Sequence, residues 1–307
     1  MKILVTGGAG FIGSNLANEF SKEHEVVVLD NLYTGKKENL NKEVKLVEGS
    51  VTDYELVEKS TKVDYVFHLA ALISNEESIK DPVGTFEVNT EGTFNVLKAS
   101  LKNKVKKVIF TSSAAVYGDS LELPKKEDMK PEPKTPYAFN KLNSEYLCKT
   151  FSQLGLKTCC LRFFNVYGPK QNIDSDYAAV IPIFINNALK NEPLKLEGKG
   201  IQTRDFVFVK DVVNACILAM NLEGISNVAS GKEVSVRELA EIIKRITNSK
   251  SELLDAPARP EDIERSVGDA SRIKKEGWKP ETSMEEGLKQ TIEFFKQALG
   301  EADPTNR

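Results

Sequence analysis

Short aliphatic runs alternate with segments of helical periodicity along the first half of the chain. The runs predict strands, in chain order, at Lys2–Thr6, Val26–Leu29, Val44–Glu48, Tyr65–Leu69, Val105–Thr111 and Leu156–Phe163. The spacing of apolar residues between them predicts helices, which contain Leu16–Phe20, follow Thr52-Asp53, and cover Val83–Leu101 and Tyr137–Gln153. Strands that alternate with helices predict an α/β fold with a parallel sheet, right-handed crossovers and both faces covered.

The pattern becomes less regular after Gly168-Pro169. Further helices are predicted at Ile181–Lys190, Asp211–Met220, Ser235–Thr247 and Met284–Leu299, with short strands near Leu194 and at Phe206–Phe208. We expect residues 1–166 to form the sheet domain. Residues 167–300 are expected to form a smaller, mixed substrate-binding domain, part of which returns to the main sheet. Residues 301–307 are expected to be a frayed tail.

A glycine turn interrupts the pattern after the first strand. Gly7, Gly10 and Gly13 lie between that strand and a helix, and Asp30 ends the second strand. These glycines allow a tight turn, a close approach of backbone to a pyrophosphate and close packing of the helix, whose N-terminus faces the phosphates. The Asp30 carboxylate can accept hydrogen bonds from ribose hydroxyls and would repel a 2′-phosphate. The stretch therefore predicts a Rossmann-like, doubly wound domain that binds NAD rather than NADP.

Composition argues against several other classes of function. The 307 residues carry a formal net charge of −3, which offers no basic footprint for nucleic acid. The apolar runs are shorter than a membrane span and the first strand begins at residue 2, so we expect neither a membrane segment nor a signal peptide. The cysteines and the two histidines lack metal-binding spacing, so no metal site is predicted. The cysteines are interpreted as buried thiols of a reducing, cytoplasmic protein.

Three polar residues occupy positions suited to catalysis. Ser113 follows the strand that ends at Thr111, and Tyr137 and Lys141 are four residues apart on one helix face. The C-terminal ends of parallel strands line the ligand crevice. A nearby ammonium and a nicotinamide cation would lower the pKa of the Tyr137 phenol toward neutrality, and Ser113 could hold the substrate oxygen. An unrelated surface pair is the alternative interpretation of Tyr137 and Lys141 taken alone.

Several longer motifs occur together with this set. They are Thr6–Gly13 (TGGAGFIG), Asp30-Asn31, His68–Ala71 (HLAA), Ser112–Gly118 (SSAAVYG), Pro136–Lys141 (PYAFNK), Arg162–Pro169 (RFFNVYGP), Arg204–Phe206 (RDF) and Arg259–Asp262 (RPED). With them the chain resembles the extended short-chain dehydrogenase/reductases, in particular the nucleotide-sugar 4-epimerases, from residue 1 to about residue 295.

The resemblance implies a tightly held NAD that takes hydride from C4 of the sugar and returns it to the opposite face of a 4-keto intermediate. Ser113, Tyr137 and Lys141 would be catalytic, and Lys141 would also hold the nicotinamide ribose. The implied cofactor-binding residues are Gly7, Gly10, Phe11, Ile12, Gly13, Asp30, Asn31, Thr34, Gly35, Ser50, Val51, Leu69, Ala70, Ala71, Tyr137, Lys141 and Phe164. Family members often carry Asp in the segment of Ser50, so this contact to adenine is expected to be weaker.

The resemblance also implies a substrate set. Its residues would be Ser113, Asn165, Ala179, Val180, Arg204, Arg259, Asp262 and Ser266. Arg204 and Arg259 suit a diphosphate because guanidinium forks are bidentate, although surface ion pairing is an alternative. Ile73 stands where some galactose epimerases carry Lys.

The residues after Ser113 separate related activities. The family's 4,6-dehydratases carry an Asp-Glu pair just after the catalytic hydroxyl residue, and the UDP-glucuronate decarboxylases carry Glu there. This chain has Ala114-Ala115, which favours epimerisation, in which no group leaves the sugar. A dehydratase or decarboxylase remains the nearer alternative, and a non-catalytic NAD-binding regulator is the alternative of another class.

Two segments bear on the substrate. A small residue at Ser266, four after Asp262, goes with N-acetylhexosamines in the epimerases, and a bulky one goes with plain hexoses. Tyr177–Pro182 resembles the uridine-proximal segment of UDP-N-acetylglucosamine epimerases. We therefore predict a dual-specificity enzyme for UDP-GlcNAc/UDP-GalNAc and for UDP-Glc/UDP-Gal. An ordinary surface loop is the alternative for Ser266.

The family further implies a homodimer. Its contact would be a four-helix bundle of the helices that contain Phe86–Leu101 and Tyr137–Gln153. Phe94 and Tyr146 could be interface residues or core residues.

Overall fold

The structure, a computed structural model, describes residues 1–172, 179–258 and 263–301. Its strands are β1 (Lys2–Thr6), β2 (Glu25–Asp30), β3 (Lys45–Glu48), β4 (Tyr65–His68), β5 (Lys107–Ser113), β6 (Thr158–Phe163), β7 (Asn165–Tyr167), β8 (Leu194–Glu197), β9 (Thr203–Arg204), β10 (Phe206–Phe208), β11 (Gly224–Val228), β12 (Val234–Ser235) and β13 (Leu253–Ala256). Its helices are α1 (Phe11–Phe20), α2 (Tyr54–Ser60), α3 (Asn75–Lys80), α4 (Pro82–Phe86), α5 (Gly92–Lys102), α6 (Pro136–Gln153), α7 (Val180–Lys190), α8 (Val209–Leu218), α9 (Val236–Thr247), α10 (Ser271–Lys275) and α11 (Met284–Glu301).

The central sheet has seven strands in the order β11-β6-β5-β4-β1-β2-β3, and every adjacent pair is parallel. Aliphatic side chains cover both of its faces. Ile3 and Val5 belong to one buried cluster, and Leu4 belongs to the other. Burial on both faces explains why these strands appear in the sequence as continuous apolar runs. The predicted doubly wound, Rossmann-like α/β fold is confirmed.

The second half of the chain contributes to two places. α8 packs against α1, and β11 pairs with β6, so both belong to the main layered structure. The remaining segments build a smaller unit on the two-stranded pairs β7–β10, β8–β13 and β9–β12. α7, α9 and α11 supply the buried residues of its own core, which includes Phe184, Leu239 and Leu288. The carboxyl ends of the main strands therefore face a separate, smaller unit across the ligand edge.

The long helix predicted over Val83–Leu101 is interrupted. α4 ends at Phe86, a π-helical turn covers Glu87–Glu91, and α5 begins at Gly92. The turn carries the buried Asn89, whose side chain bonds both main-chain groups of Leu72 at 2.8 Å. A local widening that serves a polar contact is typical of π-turns at functional sites. The apolar pattern could not show it, because the polar contact is made with a distant segment.

Several elements have no counterpart in the apolar pattern, namely α3, β7, β9, β11, β12, β13 and α10. Two of them, α3 and β11, show why. α3 is a polar helix that Ser74 caps by accepting a hydrogen bond from the Glu77 amide at 3.0 Å. β11 has the sequence GISNV, in which only Ile225 and Val228 are aliphatic. Capping and pairing with a buried neighbour stabilise these elements, so the periodicity of their own residues is a weak guide.

Candidate active site

The glycine turn after β1 has the geometry that a bound pyrophosphate needs. Gly7 has a positive φ of 67°, and a Cβ there would lie 2.7 Å from the Ala70 nitrogen. A Cβ on Gly13 would collide with the Gly7 carbonyl oxygen. Gly10 caps α1 without a side chain, so the first N–H groups of the helix, at Phe11 and Ile12, face the turn unobstructed. An anion is stabilised at such a helix N-terminus.

Asp30 shapes this turn from the neighbouring strand. The carboxylate is 7% exposed and accepts hydrogen bonds from the Ala9 nitrogen and the Leu32 nitrogen, each at 2.8 Å. A Cβ on Gly35 would lie 2.9 Å from its Oδ1 atom, so the loop after β2 closes tightly over it. Each carboxylate oxygen can accept a further hydrogen bond, which leaves capacity for a ribose hydroxyl.

The other residues expected to contact the cofactor lie along the same edge of the sheet. Asn31 and Thr34 are exposed on the loop after β2, and Ser50 follows β3, where its hydroxyl accepts a hydrogen bond from Thr52 Oγ1 at 2.8 Å. Beside it, the buried Val51 offers its carbonyl to Asn95 Nδ2 at 3.1 Å. The half-buried segment Leu69, Ala70 and Ala71 follows β4, and the buried Phe164 follows β6.

Tyr33 and α3 form a bridge over this edge. The Tyr33 hydroxyl donates to Glu77 Oε1 at 2.6 Å and thereby joins the loop after β2 to the helix after β4. In the same first turn of α3, Thr135 Oγ1 donates to Asn75 Oδ1 at 2.6 Å, next to the start of α6. Because β1 lies between β4 and β2, the Tyr33–Glu77 bond spans the glycine turn.

Ser113, Tyr137 and Lys141 come together at the carboxyl end of β5. Thr135 caps α6 through its hydroxyl and fixes the start of the helix that carries Tyr137 and Lys141. The Tyr137 phenol shares a hydrogen bond with the Ser113 side chain. Lys141 Nζ lies 5.9 Å from the centre of the Tyr137 ring and donates to the Thr111 carbonyl at 2.8 Å.

Burial and polar contacts oppose each other in this trio. Burial raises the pKa of the Tyr137 phenol, and the hydrogen bond with Ser113 partly opposes that rise. Burial lowers the pKa of Lys141 to about 8, against the attraction of Glu145. A bound ligand can change the protonation of a lysine that is close to losing its proton. Perturbed pKa values of this kind are typical of functional sites.

His68 is a neutral structural residue beside this set. Burial, with a smaller contribution from the Lys141 charge, lowers its pKa to about 3. Its ring lies between Thr6 Oγ1, 2.7 Å from Nδ1, and Thr93 Oγ1, 2.9 Å from Nε2. The Thr93 hydroxyl donates to the Asn89 carbonyl at 2.6 Å, so it accepts from Nε2–H and selects that tautomer.

Part of the expected substrate set lies together on the smaller unit. Arg204 Nη1 donates to the carbonyls of Thr203 at 2.9 Å and Ile263 at 2.6 Å. The Ser266 nitrogen donates to the same Thr203 carbonyl at 3.2 Å, so Ser266 and Arg204 are neighbours across two paired segments. A Cβ on Gly268 would touch the Phe164 ring, so this pair lies next to the end of β6.

The remaining substrate residues are more dispersed. The exposed Asn165 starts β7, the exposed Ala179 caps α7, and the half-buried Val180 begins that helix. Ile73 is 71% exposed directly after Leu72, which Asn89 holds. The predictions for Arg259 and Asp262, and for Tyr177 in the uridine-proximal segment, fall outside the described residues.

Two residues of this region were missed by the sequence analysis. Asn89 fixes the segment after β4, and its own carbonyl accepts a hydrogen bond from Ser144 of α6 at 3.0 Å. Glu145 lies one helical turn after Lys141, and its carboxylate accepts from Ser112 Oγ at 2.6 Å. A polar residue on the inward face of a helix was the available signal for Glu145. In the described residues, no group of three His, Cys, Asp or Glu side chains is placed to hold a metal ion.

The fold, the glycine turn and the Ser113-Tyr137-Lys141 set define a dinucleotide-dependent protein of the extended short-chain dehydrogenase/reductase type. The chain belongs to the NAD dependent epimerase/dehydratase family, whose model matches residues 3–229. NAD is its cofactor, and the open turn, the helix N-terminus and the capacity of Asp30 for a further hydrogen bond fit that group.

Solved structures of similar proteins include two epimerases. A UDP-N-acetylglucosamine 4-epimerase of Methanobrevibacter ruminantium, in complex with UDP-N-acetylmuramic acid, is 39% identical with a TM-score of 0.94 over 97% of this chain and 98% of that one. A UDP-glucose 4-epimerase of Thermus thermophilus, in complex with NAD, is 38% identical with a TM-score of 0.92 over 97% of this chain and 100% of that one.

A decarboxylase is similar to the same extent. The UDP-N-acetyl-α-D-glucosaminuronate decarboxylase of Bacillus cytotoxicus is 38% identical over 319 residues, which cover 96% of this chain and 98% of the relative. Identity over the whole chain therefore does not distinguish epimerisation from decarboxylation. None of the helices in the described part of the chain is long and apolar enough to span a membrane.

Proposed function

We propose that this protein is an NAD-dependent UDP-sugar 4-epimerase. The observation that carries the proposal is the trio of the half-buried Ser113 and the buried Tyr137 and Lys141 at the carboxyl end of β5, where a short 3₁₀ turn begins with Ala114-Ala115. The trio supplies a base and a hydroxyl for redox chemistry at a sugar alcohol. The two methyl groups supply no acid that could help a second group to leave.

In this proposal each residue of the trio has one task. The Tyr137 phenolate removes the proton from the sugar 4-hydroxyl and later returns it, while Ser113 Oγ donates a hydrogen bond to the sugar oxygen. The Lys141 ammonium favours the phenolate and retains N–H donors for a ribose, because only one of its donors is committed to Thr111 in the structure. When bound, NAD would supply a hydride acceptor for C4 of the sugar, and the Lys141 side chain would hold its nicotinamide ribose.

Decarboxylation of a UDP-uronate is the second candidate. The Bacillus relative favours it, since it matches this chain over nearly its full length. Ala114-Ala115 argues against it, because the family's decarboxylases and dehydratases use a carboxylic acid at this point and this chain has none there. A UDP-sugar product that has lost CO₂ would indicate decarboxylation, whereas a product of unchanged composition would indicate epimerisation.

For the substrate, we propose UDP-GlcNAc/UDP-GalNAc together with UDP-Glc/UDP-Gal. The small, half-buried Ser266 beside Arg204 supports room for an N-acetyl group. The Methanobrevibacter epimerase, whose name carries N-acetylglucosamine, supports the same reading. Arg204 and Asn165 would contact the nucleotide diphosphate, because a guanidinium can bind phosphate oxygens through parallel N–H bonds. The carbonyls of Thr203 and Ile263 orient Nη1 of Arg204. Arg259 and Asp262 are proposed for the phosphates and ribose.

The proposed activity can be followed directly by NMR. Purified protein is incubated with UDP-GlcNAc without added reductant, and we expect the anomeric signal of UDP-GalNAc to rise to equilibrium. If only UDP-Glc is converted, the proposed epimerase reaction stands and the proposed pocket for an N-acetyl group is rejected. A stable 4-keto-6-deoxy sugar, or CO₂ from a UDP-uronate, would reject epimerisation.

The Tyr137→Phe variant separates an enzyme from a regulator. It removes the hydroxyl and keeps the ring, so we expect turnover to fall by about 10²–10⁴-fold, as for loss of a general base. The circular dichroism spectrum and the NAD content are the controls, and both should match those of the parent protein. Undiminished turnover in a folded variant would remove Tyr137 from the mechanism.

We also propose a homodimer in the cytoplasm. Aromatic side chains lie exposed on the outer faces of α5 and α6, among them Phe94 at 43% and Tyr146 at 56%. Phe94 contacts the Phe151 ring of α6 edge-on, so the two helices already form half of a four-helix bundle. All four cysteines are free and buried, as expected for a reducing compartment.

A further inference from the structure

A buried ion pair lies directly behind the trio. Arg162 of β6 and Glu145 of α6 have side chains 2% and 3% exposed. The guanidinium binds the carboxylate in a fork, with Nε 2.8 Å from Oε1 and Nη2 2.7 Å from Oε2. The Tyr117 ring lies 4.8 Å from the guanidinium carbon on its other side. Such a bidentate, charge-assisted contact is among the strongest polar contacts in proteins.

The fold places this pair against Lys141. Tyr137, Lys141 and Glu145 are spaced by four residues on α6, so they follow one another along a single face. The register of β5 with β6 puts Arg162 opposite Ser112, and the Ser112 hydroxyl donates to Glu145 at 2.6 Å. The residue before Ser112 supplies the carbonyl that binds Lys141 Nζ. Positive and negative groups thus alternate from Arg162 through Glu145 and Lys141 to the Tyr137 phenolate.

Stability alone does not account for a pair in this position. Two charges taken out of water lose their hydration, and apolar replacements of buried ion pairs are often as stable or more stable. The pair at Glu145 therefore calls for a role beyond folding.

We propose that Glu145, held in place by Arg162, is a positioning residue that keeps the Lys141 ammonium charged and fixed beside Tyr137. The inference rests on the proposed function, in which Lys141 acts on Tyr137 and on the nicotinamide ribose. Burial works against the charge of Lys141, and Glu145 is the largest influence that opposes burial. An uncharged side chain of the same shape at position 145 would not keep the Lys141 ammonium charged.

The other groups that face Lys141 do not replace this carboxylate. On α6 they are Tyr137 and Cys148, of which Cys148 acts in the same direction as Glu145 but less strongly. On β4 the neighbour is His68, which is neutral at ordinary pH because its pKa is about 3. On β5 they are the Thr111 carbonyl and the face of the Phe110 ring, 5.0 Å from Nζ.

Glu145→Gln tests the proposal because it keeps the shape and removes the charge. Loss of an anion, together with the unbalanced Arg162 cation, lowers the pKa of Lys141. We expect the high-pH limb of the kcat profile to move to lower pH by on the order of one unit. A second readout needs no sugar: the pH dependence of the reduction of bound NAD by cyanoborohydride, since a cation beside the nicotinamide favours hydride uptake. Its high-pH limb should move by the same amount.

Two variants separate positioning from packing. Glu145→Asp retains the charge, so its limb should return toward that of the parent protein. Tyr117→Phe removes the hydroxyl that donates to Asn227 at 2.6 Å, on the far side of Arg162, without changing a charge. The high-pH limb of the Tyr117→Phe profile should stay in place even if the free energy of unfolding changes.

The outcomes are distinct. The proposal is overturned if Glu145→Gln loses activity equally at every pH. In that case the high-pH limbs of the kcat profile and of the NAD-reduction profile both stay where they are in the parent protein. If that variant does not fold, Glu145→Gln combined with Arg162→Leu also removes the unbalanced cation. The limb should then still move to lower pH, though by less than in Glu145→Gln alone, because Glu145 is the main influence that opposes burial at Lys141. An unmoved limb in this protein would contradict the proposal. The reduction of bound NAD reports on Lys141 even if no UDP-sugar is epimerised, so failure of the proposed function is recognised separately.

Discussion

Burial determines the ionisation of the groups around the trio, residue by residue. It raises the pKa of Tyr137 and lowers those of Lys141 and His68, to about 8 and about 3 respectively. Lys141 and His68 therefore lose their protons at lower pH than solvated side chains do, and Tyr137 loses its proton at higher pH. The shift of His68 has a measurable consequence for stability.

His68 should make the protein sensitive to acid. In the unfolded chain its pKa is about 6.5, whereas the buried ring has a pKa of about 3, so the unfolded state binds more protons between these values. The contribution of the neutral His68 ring to the free energy of unfolding is fully present above about pH 6.5. It is lost as the pH falls toward about 3, at roughly 1.4 kcal/mol per pH unit. Urea unfolding of the protein and of His68→Gln at neutral and mildly acidic pH measures the loss. Equal losses in both proteins would assign the acid sensitivity to other groups.

Ser266 should determine the tolerance for an N-acetyl group. In Ser266→Tyr a ring fills the space beside Arg204, and we expect kcat/KM for UDP-GlcNAc to fall about 10–200-fold, as for small steric differences in a pocket. UDP-Glc serves as the internal control, and its kcat/KM should change much less. The NMR assay with the two substrates gives both values. Retention of N-acetyl activity would show that Ser266 is not part of the sugar pocket.

Among the elements, α3 and the π-helical turn do more than connect strands. The π-turn brings Asn89 to the segment after β4, and the first turn of α3 is hydrogen-bonded to Tyr33 and to Thr135. The Tyr33–Glu77 bond spans the edge at which a dinucleotide binds in open α/β sheets. α3 should therefore help to retain NAD.

Tyr33→Phe should release NAD faster. One hydrogen bond contributes about 0.5–1.5 kcal/mol, so we expect the dissociation rate to rise by about 2–10-fold with little change in kcat. The matched control is Tyr54→Phe, which removes a tyrosine–glutamate hydrogen bond to Glu58 within α2. Capture of released NAD by a dehydrogenase in excess measures the rate. Equal rates for the two variants would show that the bridge over the glycine turn does not retain the cofactor.

At the scale of the whole molecule, two units meet at one edge of the sheet. β5 and α6 of the main unit carry Ser113, Tyr137 and Lys141, and Arg204 and Ser266 lie on the smaller unit. β11 comes from the later half of the chain but pairs with β6 in the main sheet, so the chain returns from the smaller unit to the main one. The outer faces of α5 and α6 carry exposed aromatic residues.

These aromatic residues should form the dimer contact. Tyr146→Glu places a charge in the proposed bundle, and desolvation of a charge is costly, so we expect dissociation to a monomer. Leu121→Glu is the control, because Leu121 is 92% exposed on the loop that precedes α6 and is not on either helix. Sedimentation velocity at several concentrations distinguishes the states. A monomeric parent protein, or an unchanged dimer in Tyr146→Glu, would reject this interface.

The features that the sequence predicted are those in which neighbouring residues carry the information. The glycine turn with Asp30 and the four-residue spacing of Tyr137 and Lys141 are local patterns, and the structure has them in the expected elements. Strands buried on both faces appear as apolar runs, so the α/β fold was predictable as well. Arg259 and Asp262 lie outside the described residues.

Other features depend on contacts between residues that are far apart in the chain. Arg162 reaches Glu145, Asn89 holds Leu72, Tyr33 meets Glu77, and β11 pairs with β6. None of these contacts has a period or a spacing, because each depends on the path of the backbone between its partners. Local patterns thus specified the sheet, the glycine turn and the trio. Tertiary packing alone determined which buried charge lies behind Lys141 and which side chains meet over the glycine turn.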